Sequence, residues 1–283
     1  MCGLFGIIRN QGIGQMRQDD LADAVAVELE FAAAERGVDS WGYITAGAKD
    51  SMTIARGLGS IVPMSGRRRT PLAPIVLGHT RHATHGKITI DNAHPFSSGD
   101  VSLMHNGVIY NAPRTLEVDS MVLAQRVSEK APVDTLRGYG SVAWLEEGEA
   151  YLCRMKGGQL DVAWISSIRH QTRFLIYASD LSESLRQLTA VYPDLMVREH
   201  AELPAGRVYR IDLETLTLRR QEYEMNLDHQ VGKRWQDYGK PLSPAITLWP
   251  AEKTARLETP KRLEAETMDT EYAWPTAWQL GDN

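Results

Sequence analysis

The sequence predicts a mixed α+β protein built largely on antiparallel sheet, and three observations carry that expectation. Short apolar or alternating runs at 3–8 (GLFGII), 41–47, 51–55 and 75–79 close quickly through glycine and proline, as strands do. Helical spacing interrupts these runs only at intervals. The order of elements does not alternate as repeated strand–helix–strand units would, which argues against a doubly wound parallel sheet.

The first helix takes Asp19 or Asp20 as its cap, repeats Leu21, Val25, Leu29 and Ala32 at helical spacing, and stops at Gly37, a natural left-handed terminator. A second helix begins at Asp119, presents Met121, Val122, Leu123 and Val127 as a buried face, and ends before Pro132. Further strands are expected at 141–145, 150–154, 161–165, 173–178 and 207–212, with a short helix over Ser182–Leu188. Beyond residue 213 the pattern breaks into charged stretches and five of the 13 prolines. Four of the seven tryptophans also lie there (Trp235, Trp249, Trp274 and Trp278), more aromatic content than a free disordered segment carries. The expected organisation is a domain over 1–213 and a C-terminal extension over 214–283, docked on its own domain or on a partner, or partly disordered.

Composition narrows the classes. A chain of 283 residues with 43% hydrophobic content can bury one good-sized core. Its apolar runs fall far short of the roughly 20 residues that cross a bilayer, and no basic stretch precedes Gly3–Ile8 as a signal peptide requires. No membrane partner is expected, and cytoplasmic residence is. Two cysteines, Cys2 and Cys153, cannot form a disulfide framework. A net charge of -5, with only short basic clusters at 67–69 and 233–234, predicts no nucleic-acid partner.

Cys2 directly follows the initiator, and a small penultimate residue favours methionine removal. The mature chain would then begin with a thiol beside a free amine. An α-amine titrates at about 7.7–8.0, so nucleophile and base can share one residue. The alternative is a buried structural cysteine. The segments LGHTRHATHG (77–86) and HNGVIYN (105–111) each follow an apolar strand, where sites are usually built. In the second, the Asn106 side-chain amide and the Gly107 backbone N–H could converge on one oxyanion, although Asn-Gly is also a common hairpin turn. Arg81 offers a bidentate fork for a carboxylate, with Thr84 and the turn at His85 and Gly86 adding donors. Asp119 is also a plausible helix cap. The spacing of His79, His82 and His85 invites a metal, but extended chain would not turn all three one way and no acidic ligand lies close. No metal and no cofactor are expected.

Together MCGLFGI at the start, ERGVDSWGY (35–43), GHTRHATHG (78–86), HNGVIYN (105–111) and EVDSMVL (117–123) resemble the class II glutamine amidotransferases, which are N-terminal-nucleophile (Ntn) hydrolases. The resemblance runs over roughly 2–213, including ASD (178–180) and PAGRVYRI (204–211). It implies a four-layer αββα sandwich in which Cys2 attacks the glutamine carboxamide, releases ammonia and leaves a γ-glutamyl thioester for water to hydrolyse. It implies Asn106 and Gly107 as the oxyanion hole. Arg81, with Thr84 and His85, would hold the substrate α-carboxylate, Asp119 the α-ammonium, and Arg36 the Cys2 terminus.

Two departures stand out. His82 sits where many members carry tryptophan, and only 11 residues separate Gly107 from Asp119, so a helix is expected to be missing there. About 70 residues remain after the domain, with no phosphate-cradling glycine loop, so a stand-alone form is expected that passes ammonia to a separate synthetase or transferase subunit. Two other readings stay open: a hydrolase of other γ-glutamyl amides, and a catalytically silent module that binds glutamine or a partner.

Overall fold

The computed structural model describes residues 2–9, 15–47 (backbone only over 15–20), 52–61, 73–83, 86–113, 115–169 and 172–227. In chain order its elements are β1 (Gly3–Arg9), α1 (Gln15–Ala34), β2 (Ser40–Ala46), β3 (Met52–Leu58), β4 (Ile75–Arg81), a single 3-10 turn (Ile90–Asn92), β5 (Phe96–Ser98), β6 (Val101–Ile109) and α2 (Ser120–Ser128). Then follow β7 (Gly138–Glu146), β8 (Glu149–Arg154), β9 (Asp161–Ser167), β10 (Thr172–Ala178), α3 (Ser182–Val191), β11 (Leu195–Glu202), β12 (Arg207–Asp212) and β13 (Thr217–Glu224).

The strands form two sheets. One has the order β11-β9-β10-β1-β4-β2-β3, the other β13-β12-β8-β7-β6-β5. Strand alternation sorts their side chains into layers. From β1, Leu4 and Ile8 enter the core between the sheets with Ile75 and Leu77 of β4 and Met104 of β6. Phe5 and Ile7 point the other way, against Leu21, Val25 and Leu29 of α1 and Leu185 and Leu188 of α3. Outside the second sheet, Val122, Leu123 and Val127 of α2 pack on Leu103, Val142 and Trp144. These three apolar cores separate four layers in the order αββα.

Register in the first sheet is fixed by three cross-strand pairs of a glycine with an aromatic residue: Gly6 with Tyr177, Gly78 with Phe5, and Gly57 with Trp41. In each pair the space a glycine Cβ would fill is taken by the partner's ring. A one-residue slip would drive three rings into backbone and also exchange the two faces of every strand.

Several expectations shift. α1 begins at Gln15, earlier than the caps at Asp19 or Asp20. Asn106 and Gly107 do not form a hairpin turn, since β6 runs through them with Gly107 opposite Gly140 of β7. Asp119 has helical angles (φ -60, ψ -31) and makes no side-chain capping bond. Strands β11 and β13 were not expected, because edge strands such as LMVREHAE and TLRRQEYE carry charge on their open faces. The boundary expected at 213 therefore falls inside the β12–β13 hairpin, and Leu218, Tyr223, Met225 and Leu227 are buried. The four C-terminal tryptophans lie outside the described residues.

Three buried histidines fill the end of the sandwich beside β4 and β6. The rings of His79 and His94 lie 3.9 Å apart, and His79 Nε2 meets the His105 carbonyl oxygen at 3.1 Å. Loss of solvent, the largest cause in each case, holds all three rings below the ordinary histidine range, His79 down to about 3. In the unfolded chain they titrate near pH 6.5, so below that value the unfolded state binds more protons. Their contribution to stability is full above about pH 6.5 and is lost as the pH falls below it, for His79 down toward 3. Urea unfolding is expected to show stability falling between pH 6.5 and 4 by up to about 1.4 kcal/mol per pH unit per histidine. His94→Phe removes one of the three and should flatten that slope.

Candidate active site

Cys2 precedes β1 by one residue and extends its alternation. Gly3 pairs with Thr80 on β4, so one step further sets Cys2 across from Arg81. Even positions of β1 and odd positions of β4 face the layer between the sheets, and both side chains therefore meet at its open end. Asn106 on β6 approaches the same end from the opposite sheet, two residues beyond Met104 in the shared core.

The cysteine is held through its backbone. Arg36, just beyond α1, donates Nε–H to the Cys2 carbonyl at 3.0 Å. The Cys2 Sγ accepts the His82 N–H at 3.3 Å and lies 3.6 Å from the His82 carbonyl. Burial pushes the thiol's pKa up, against the His82 N–H and the Arg81 charge, which pull it down. Close approach of α1 depends on Gly3: a Cβ there would lie 2.6 Å from Thr80 Oγ1 and 2.9 Å from Ala33. Thr80 Oγ1 donates to the Ala33 carbonyl at 2.6 Å, joining β4 to the same helix end.

Arg81 is 3% exposed and donates to the Lys87 carbonyl at 3.2 Å. Its guanidinium feels the charges of Cys2, Asp39 and Asp119, and Cys2 in turn feels Arg81 and Asp119. The charged groups thus form one electrostatic unit. Asp119 Oδ2 accepts the Ile109 N–H at 2.6 Å, so that donor points away from β7, while the next, Tyr110 N–H, bonds Arg137 across the β7 side. Since N–H direction repeats every second residue, the Gly107 N–H shares the Ile109 side and is turned away from the ladder. Asn106 directs Nδ2 to Ser179 Oγ at 2.7 Å.

The structure thus brings together Cys2, Arg36, Arg81, Asn106, Gly107 and Asp119. Thr84 and His85 lie outside the described residues. At position 82 it is the His82 backbone that meets the sulfur, while its side chain is 54% exposed. Sequence reasoning did not single out Asp39, whose carboxylate accepts the Ala83 N–H at 2.7 Å, or Ser179 as a site residue; both lie in segments the resemblance covers, DSWGY and ASD. The histidines near 79–85 are split, His79 buried and His82 exposed, and among the described residues no group of three His, Cys, Asp or Glu could hold a metal ion. No helix among the described residues is long and apolar enough to cross a membrane.

No protein-family model matches the chain. A glutamine–fructose-6-phosphate aminotransferase (isomerizing) of Lactococcus lactis is 26% identical over 259 residues, covering 82% of this chain and 41% of the relative. The enzyme of that name from Caulobacter vibrioides is 32% identical over 177 residues, 54% of this chain and 28% of the relative. Among solved structures, a glutamine phosphoribosylpyrophosphate amidotransferase from B. subtilis superposes with a TM-score of 0.56 at 18% identity, over 77% of this chain and 49% of that one. The chain therefore spans less than half the length of these relatives. In sequence the chain is similar to part of these glutamine-dependent aminotransferases, and in fold it is similar to part of the glutamine phosphoribosylpyrophosphate amidotransferase.

Gly3→Ala tests the packing behind the cysteine. The added methyl group should part β1 from α1 and cost about 1–3 kcal/mol of stability in urea unfolding, whereas alanine at the exposed, unobstructed Val38 should change little.

Proposed function

We propose that this chain hydrolyses the side-chain amide of glutamine to glutamate and ammonia, with Cys2 as nucleophile once Met1 has been removed. The observation that carries the reading is the meeting of Cys2, Arg81 and Asn106 at one end of the interlayer core, with Asp119 in electrostatic reach. A zwitterion needs one fixed cation and one fixed anion, and their distance from the sulfur selects the side-chain length. Arg81 supplies the first, for the α-carboxylate, and Asp119 the second, for the α-ammonium. Thr84 and His85 would complete the carboxylate site.

A thiol whose ionisation burial opposes needs a local base. In the processed chain that base is the α-amine of Cys2, which takes the thiol proton directly or through one water while Arg36 fixes the residue's carbonyl. The sulfur attacks the amide carbon, and the resulting oxyanion is met by Asn106 Nδ2–H and Gly107 N–H. The amine's proton passes to the leaving nitrogen, the C–N bond breaks, and ammonia departs from a γ-glutamyl thioester. Water then adds to the thioester, giving its proton to the amine. A second oxyanion collapses, the C–S bond breaks, the proton returns to sulfur, and glutamate leaves. No cofactor takes part.

In this reading ammonia passes to a separate synthetase or transferase, and the two free cysteines suit a reducing cytoplasm. The domain extends over the two-sheet body, and the chain beyond it serves as the extension.

Cys2→Ala should abolish glutamine hydrolysis, and intact-mass measurement should find the active protein lighter by one methionine residue. Retained Met1 on fully active protein rules the mechanism out. Arg81→Lys, which loses the bidentate fork, is expected to raise KM for glutamine by roughly 10–100-fold with a smaller change in kcat. Asn106→Ala should instead lower kcat by about 10²–10³.

A further inference from the structure

We propose that Ser179 is a positioning residue for the oxyanion-binding amide of Asn106, coupling that amide to the strand that carries the nucleophile. The inference rests on the glutaminase reading and adds to it a residue that touches neither substrate nor sulfur. Ser179 follows β10 and is 3% exposed. Its Oγ accepts two hydrogen bonds, from Leu4 N–H at 3.1 Å and from Asn106 Nδ2 at 2.7 Å. Its own N–H donates to the Leu4 carbonyl at 2.8 Å. The serine is therefore clamped to β1 through both its backbone and its side chain, two residues from Cys2.

That clamp decides how Asn106 sits. A carboxamide has two N–H donors in one plane. Because the Ser179 hydroxyl proton has the Leu4 carbonyl as its acceptor at 3.5 Å, Oγ meets Asn106 as an acceptor, which favours the N end of the amide there and gives the second N–H a set direction. Asn106 belongs to the six-stranded sheet, whereas Cys2 and Ser179 lie at the ends of β1 and β10, neighbouring interior strands of the seven-stranded one. Without a bond across the interlayer gap, sulfur and oxyanion donor would be placed by different sheets, and small shifts between sheets would separate them. Ser179 gives them a common reference, and preorganised donors are worth most when they need not move during reaction.

The test is a double-mutant cycle on the full chain. Ser179→Ala should lower kcat for glutamine about tenfold with KM changed less than about twofold, as for a lost transition-state contact. Alkylation of Cys2 by iodoacetamide, a displacement at carbon that forms no oxyanion, should keep its wild-type rate. In an Asn106→Ala background the same serine substitution should cost nothing further. The proposal is overturned if Ser179→Ala leaves kcat unchanged, if it slows alkylation as much as hydrolysis, or if its cost is the same with and without Asn106. Should Ser179→Ala not fold, Ser179→Cys, close in size and a weaker acceptor, carries the same cycle. A wild-type chain that alkylates at Cys2 yet never hydrolyses glutamine removes the glutaminase reading itself, a result distinct from any outcome of the cycle.

Discussion

The pairing register of β1 is the constraint on which the rest of the structure depends. A strand has two faces, and here one looks into the core between the sheets while the other looks onto α1 and α3. Cys2 stands on the interlayer face because Leu4 and Ile8 do. Shift the register by one and the sulfur would face the helix layer, leaving Arg81 and Asn106 without it. Three glycine–aromatic pairs hold the register from both sides, Tyr177 over Gly6 and Phe5 over Gly78, with Trp41 over Gly57 at the outer pair. Packing that reads as fold stability is therefore also what aims the Cys2 sulfur.

Electrostatics at the open end follow from the same burial. His79 and His94 feel the charge of Arg81 and His105 that of Asp119, and desolvation holds all three rings below the ordinary histidine range. They fill volume and order backbone without adding charge. His105 joins β6 to the start of α2, with Nδ1 at 3.0 Å from Ser120 Oγ and Nε2 at 3.3 Å from the Tyr139 carbonyl, while its ring fills the space above Gly107 and Gly140. The charge at this end therefore comes from Arg81 with the carboxylates of Asp39 and Asp119, and the neutral rings do not add to it. The other cysteine is set apart: Cys153 is buried on the outer face of the second sheet, where desolvation keeps its thiol protonated.

Much of this was legible in the sequence wherever local pattern and tertiary role agree. β1, β2 and β4 are short apolar runs and α2 carries apolar residues at helical spacing, so their element types could be assigned before their neighbours were known. Strands β11 and β13 were hidden because an edge strand need satisfy only one neighbour and tolerates charge. Asn-Gly misled as a turn signal, since in β6 the glycine serves the close approach of Gly140 rather than a reversal of the chain. In the site, chemically distinctive residues such as Cys2, Arg81 and Asp119 stood out by type and motif. Ser179 did not, because nothing about a serine after a strand announces that its hydroxyl is shared between two sheets.

The short connection after β6 shows how a departure from pattern is accommodated. Among the described residues of the 11 between Gly107 and Asp119 there is no helix; β6 ends at Ile109, Asn111 bonds the 135–137 segment at both ends of its amide, and Asp119 reaches back to Ile109 N–H. The carboxylate thus anchors the loop it closes. A bond from a neutral N–H engages one carboxylate oxygen and leaves the other to accept from a further donor, which on the proposed reading is the substrate ammonium group. Because Ile109 and Gly107 lie on the same strand with their N–H groups on the same side, that one bond also ties the spacing between anion and oxyanion donor to strand geometry, which barely changes with loop length. On the proposed reading, the spacing that would select the substrate is thus set by the strand and not by the loop.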